Sequence, residues 1–116
     1  WVEMVAHNQR HPDGVALYTA MSAAVIDASH QAYPWFRQHL MATIEYLVDT
    51  LERGKAAGEV HPDAPSEQIA RKLVALSDGL QVQWLCSRAD GGRDVDMHAV
   101  TAGVVSDIKD RWLIRS

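Results

Sequence analysis

Between Ile69 and Ser87 apolar residues recur on two opposite sides of one helical stretch, and any fold for this chain must cover both. At about 100° per residue, Ile69, Leu73, Leu76, Leu80 and Trp84 form one face, and Val74, Ala75, Val82, Leu85 and Cys86 form nearly the opposite one. Within the stretch, "LSDGLQVQWL" (76–85) sets a serine, an aspartate, a glycine and two glutamines into the apolar run. Gly79 costs such a helix about 1 kcal/mol relative to alanine, so a compensating contact is expected. Gly79 shares a narrow flank with Lys72 and Gln83, while Ser77 and Gln81 occupy the other flank. Asp78 falls among the second apolar group, a position that calls for a hydrogen bond or an edge. Either the helix is central in the monomer, or one face meets a partner chain. Glycine permits a close helix crossing and glutamines can hydrogen-bond across it, which favours the partner.

The rest of the chain also reads as helix. No stretch alternates apolar and polar residues for long, and no Asn-Gly or Asp-Gly joins two such stretches. A first segment runs from about Trp1 to Arg10, and Pro12 ends it and opens a second, about 13–29, with Leu17, Tyr18, Met21, Val25 and Ile26 on its apolar face. A third, about 34–57, carries Phe36, Leu40, Thr43, Ile44, Leu47, Val48 and Leu51 at spacings of three and four. Gly58 suits a left-handed C-cap. The fourth opens at "DAPSEQ" and runs to about Ser87, and "RADGGRDVD" reads as a loop. The fifth starts after Asp94 or Asp96, either a good N-cap, and runs to about Leu113. Its stripe of Met97, Val100, Val104 and Ile108 gives a second helix with wide apolar surface. The expectation is one all-α domain over residues 1–116, with about five helices and the last two pairing with a second copy in a four-helix bundle. The contact residues expected there are Leu73, Leu76, Gly79, Leu80, Gln83, Trp84, Met97, Val100, Val104 and Ile108.

Composition narrows the function classes. A formal net charge of −4 argues against this chain gripping nucleic acid by itself, because phosphate binding wants a basic face. One cysteine, Cys86, allows no internal disulfide and fits a reducing, cytoplasmic setting. No run approaches the length of a membrane span. The chain opens at Trp1 already on a helical stripe and without a cap, as a fragment of a longer protein would.

The segment "APSEQIARKLVALSDGLQVQWLC", followed by a Gly-rich loop, "VDM" and a last helix, resembles the C-terminal domain of TetR-family transcriptional regulators. The matching positions are Ala70, Asp78-Gly79-Leu80, Gln81, Gln83, Trp84 and Leu85. "GVALYTAMSAAVIDASHQAYPWFRQHL" and "LERGKAAGEV" resemble earlier helices of that domain, so the similarity spans nearly the whole chain. The resemblance implies a homodimer and an effector-sensing domain whose small ligand enters among the middle helices. It implies DNA contact only through an N-terminal helix-turn-helix that this chain lacks, and release of DNA, a repressor's response, when the ligand binds.

A pocket built by the first four segments would draw on Met4, Asn8, Tyr18, Met21, Trp35, Phe36, His39, Thr43 and Trp84, large apolar walls with a few polar handles. That mixture suits a lipophilic or aromatic effector. Ordinary core packing explains each of them singly. Glu3, Asp27 and Glu45 could oppose a cationic ligand, although solvated faces account for them more simply. His7 and His11 stand four apart, a spacing that can serve a metal, but no carboxylate accompanies them, and no metal or cofactor is expected. Ser22, Ser77 and Cys86 lie in no nucleophile motif, so no enzyme activity is expected. Cys86 reads as buried filler. The alternatives are a small helical enzyme or metal or cofactor carrier, and a dimerising module without a ligand.

Overall fold

The third segment's apolar stripe settles how the chain is arranged. In the computed structural model, which describes residues 1–24, 27, 29, 31–89 and 95–114, it forms α3, Tyr33–Ala56. Its Leu40, Ile44, Leu47, Val48 and Leu51 pack on Ile69, Ala70, Leu73 and Val74 of α4, Ser66–Ala89. This is the broadest helix pairing of the fold. Around it stand α1, Val2–Gln9, α2, Pro12–Ala24, and α5, Met97–Trp112. The fold is all-α, with five helices and no strand among the described residues.

The ends follow local chemistry. Gly58 takes φ +75°, the left-handed turn after α3 that L side chains resist. Asp96 caps α5, its carboxylate accepting from the Ala99 N–H at 3.0 Å. Pro12 opens α2, as its fixed φ favours. α2 is described as far as Ala24, and Asp27 and Ser29 already lie in a bend and a turn, so the helix does not reach the expected end near residue 29. Beyond it Asp27 Oδ1 accepts both the backbone N–H and the hydroxyl of Ser29, a local turn that competes with helix. The expected apolar positions Val25 and Ile26, and much of the "RADGGRDVD" loop, lie outside the described residues.

α4 is the hub. It packs on α2, α3 and α5, and Val5 of α1 and Val15 of α2 join Leu80, Trp84 and Met97 in a second core cluster. The two apolar faces of α4 meet different fates. The first is covered: Ile69, Leu73, Leu80 and Trp84 are buried. Of the second, Val74 is buried on α3, whereas Ala75, Val82 and Cys86 face solvent, Val82 at 48% exposure. Cys86 is thus surface, a correction to the buried filler expected of it: the helices that cover α4 approach from the other side. The slab-like shape, with extents of 46 × 37 × 18 Å, leaves that outer face uncovered.

A corner ties the two ends of the core together. Val60 and Leu113 form an antiparallel bridge, with His61 N donating to Trp112 O at 2.8 Å and Ile114 N to Glu59 O at 2.9 Å. Ser66, at the start of α4, donates to Glu52 Oε1 of α3 at 2.7 Å, and Lys55 donates to the same oxygen at 3.0 Å. Among the described residues, no helix is long and apolar enough to cross a membrane.

Candidate functional site

α1 lies along α5 while α2 packs on α3 and α4, and a cavity of about 290 Å³ remains among α1, α2, α3 and α4. α1 contributes Trp1, Met4, Val5 and Asn8, and α2 contributes Gly14, Val15 and Tyr18. α3 adds His39, Leu40 and Thr43, and α4 closes the floor with Val74, Ser77, Asp78 and Gln81. The last three are the polar residues that interrupt the apolar run of α4.

Of the polar groups on this floor, an ionised Asp78 can only accept, whereas Ser77 and Gln81 can both donate and accept. Asp78 is half-buried and lies beside the Tyr18 hydroxyl. Burial raises its pKa above the usual carboxylate range, while nearby His39 and the Tyr18 hydrogen bond act in the opposite direction. The Tyr18 hydroxyl is pushed up to about 12, chiefly by burial and then by the charge and hydrogen bond of Asp78, so it stays a donor at neutral pH. Thr43 spends its hydroxyl hydrogen on the His39 carbonyl at 2.9 Å, which leaves only lone pairs. Gln81 is 8% exposed, and its Oε1 has no hydrogen-bond partner. Ser77 Oγ is also unpartnered, as is one donor on the wall, Trp1 Nε1.

Behind Ser77 and Gln81 a void of about 10 Å³ continues toward α5, where the fully buried Thr101 adds another unpartnered hydroxyl. Its size is about that of one water, and three orphan polar atoms around it are enough to hold one.

The structure gathers some of the expected ligand residues and scatters others. Met4, Asn8, Tyr18, His39 and Thr43 line the cavity together. Phe36 is buried behind it, 5.2 Å from the Tyr18 ring, and props that ring rather than lining the space. Trp35 stands outside, stacked on His39 with ring centres 5.1 Å apart and planes 5° from parallel. Trp84 belongs to the core with Val5, Leu80 and Met97 and does not reach the cavity. The side chain of Met21 lies outside the described residues. Sequence reasoning omitted Asp78 and Gln81 from the site, although their place in an apolar run was the signal that could have named them. A wider depression of about 640 Å³ runs along α3 from Tyr33 to Glu45, but one helix alone walls it and it encloses nothing.

The expected dimer residues also divide. Leu73, Leu80, Trp84 and Met97 are covered by other helices of the same chain, Met97 to 1% exposure, so they have almost no surface to offer a second copy. Leu76, Val104 and Ile108 are half-buried, the last two against the α3–α4 core. Gly79, Gln83 and Val100 remain exposed, Val100 at 42%. A Cβ built on Gly79 would meet nothing within 4 Å, so nothing inside the protomer requires this glycine.

The His7 and His11 rings do meet, with centres 4.2 Å apart. Among the described residues, however, no three His, Cys, Asp or Glu side chains are grouped to hold a metal ion. Compared with family models, with curated proteins and with solved structures, the chain matches none.

Proposed function

We propose that this chain is the effector-sensing and dimerising domain of a TetR-like DNA-binding regulator. The observation that carries the reading is the cavity among α1–α4, which collects five of the residues expected to bind a small molecule: Met4, Asn8, Tyr18, His39 and Thr43. Its mixture of apolar wall and few polar groups is the ordinary chemistry of small-molecule sites. Three of these helices, α2–α4, carry the sequence resemblance to the family together with α5.

Dimerisation is assigned to the outer face of α4, not to its core-facing stripe. Ala75, Gly79, Val82 and Cys86 are exposed at spacings of four, three and four, the seam of a close helix crossing. The cost of Gly79, not offset within the protomer, is offset by a partner helix there. On α5 the exposed Ala99, Val100 and Gly103 supply similarly small surface. DNA contact belongs to a separate helix-turn-helix, and this acidic chain alone is expected not to retain duplex DNA.

Light scattering tests the assembly. A dimer at micromolar concentration that the pair Val82→Glu and Val100→Glu converts into a folded monomer supports the reading. A wild-type monomer overturns it.

A further inference from the structure

Resting on the ligand-pocket reading above, we infer that the cavity among α1–α4 takes an amphipathic organic amine, its protonated nitrogen held by Asp78 and Gln81 and its apolar body lying against Met4, Val15 and Leu40. Three observations carry this. First, Asp78 is a half-buried carboxylate on the cavity floor, and the residues lining the cavity include no lysine or arginine. None of the ion pairs among the described residues involves it. A carboxylate withdrawn from water gains most from a cation of opposite charge, and no lysine or arginine among the residues lining the cavity supplies one.

Second, Gln81 presents an unpartnered carbonyl oxygen from a side chain that is 8% exposed. A buried acceptor without a donor has lost its water without compensation, which a ligand N–H relieves. Third, Thr43 can only accept from the cavity, because its own hydrogen is committed to His39 O. A carboxylate or phosphate ligand could meet donors at Asn8, Ser77 and the Trp1 indole, but it would face the charge of Asp78. A neutral hydrocarbon would leave the charge of Asp78 uncompensated. An ammonium carries up to three donors and the complementary charge.

Calorimetric titration with three probes that share one indole body separates the possibilities: tryptamine, its neutral alcohol tryptophol, and anionic indole-3-acetate. Tryptamine is expected to bind about tenfold or more tighter than tryptophol, as charge-assisted hydrogen bonds exceed neutral ones, with indole-3-acetate weakest. Asp78→Asn, nearly isosteric, is expected to abolish the preference for tryptamine while leaving tryptophol unchanged. Gln81→Leu is expected to weaken tryptamine more than tryptophol. Equal binding of tryptamine and tryptophol, or a preference that survives Asp78→Asn, overturns the assignment of a cation and leaves the pocket reading standing. No heat from any of the three overturns both.

Discussion

A Cβ on Gly54 would lie 2.5 Å from Cγ2 of Val60, because the chain turns back under the end of α3 and seats Val60 against the helix. The carbonyl of Gly54 accepts both Glu59 N and Val60 N, at 2.8 and 3.1 Å, which fixes the approach. In an open helix, glycine to alanine gains about 1 kcal/mol. Here Gly54→Ala must displace a buried core residue, and a loss of about 1–3 kcal/mol in urea unfolding is expected. A stabilised Gly54→Ala variant would show that the corner is loosely packed.

Gly79 gives the opposite expectation. Its added Cβ meets nothing inside the protomer. Gly79→Ala should therefore raise the stability of an isolated protomer by up to about 1 kcal/mol. If α4 crosses its copy at this position, the same change weakens association, and sedimentation at a series of concentrations reads the two effects apart. Unchanged association would remove Gly79 from the contact.

Trp84 is expected to act on folding stability and not on the ligand. It is buried with Val5, Leu80 and Met97, away from the cavity. Trp84→Ala should cost about 3–5 kcal/mol of folding stability. Trp84→Phe, which keeps most of the volume, should leave tryptamine affinity unaltered once the protein is folded. A selective loss of affinity in Trp84→Phe would place this ring in the site after all.

Asp78 links stability to pH. Burial raises its folded pKa, so its protonated form is favoured in the folded state. That contribution is fully present below the unfolded pKa and is lost as pH rises through the folded one. Asp78→Asn removes the loss. The variant should be more stable than the wild type at neutral pH, and the difference should shrink as the pH falls into the carboxylate range. Urea unfolding across that range checks the sign; a wild type that gains stability over the variant with rising pH would mean Asp78 already has a strong partner.

Glu52 slopes the other way. Its pKa is lowered first by the Ser66 hydroxyl and then by Lys55. The stability it contributes is present above the unfolded pKa and is lost as pH falls through the folded one. Ser66→Ala should weaken acid resistance more than neutral stability, as acid unfolding midpoints would reveal.

Periodicity made the helices legible: five segments with stripes at three and four residues became five helices, and Gly58, Pro12 and Asp96 end or begin them as their chemistry requires. The faces were harder to apportion. Leu80 and Val82 are both apolar on α4, and only the positions of α1, α2 and α5 decide that the first is buried and the second exposed. A wheel shows which residues lie together, not which neighbour arrives. The same limit separated Trp84 from the cavity and Asp78 from solvent. An aromatic ring is as good a core residue as a ligand wall, whereas a carboxylate inside an apolar run has few structural uses.

The corner at Val60 and Leu113 bears on how a motion could travel. α5 is pinned at its C-terminal end by backbone hydrogen bonds on either side of that bridge, while at Met97 side-chain packing secures it. α1, which lines the cavity through Met4 and Asn8, rests mainly along α5. A guest that wedges α1 outward therefore pushes on a helix held by backbone hydrogen bonds at one end and by buried side-chain packing at the other. The displacement would be smallest at Trp112, and at Met97 it would have to repack the cluster of Val5, Val15, Leu80 and Trp84.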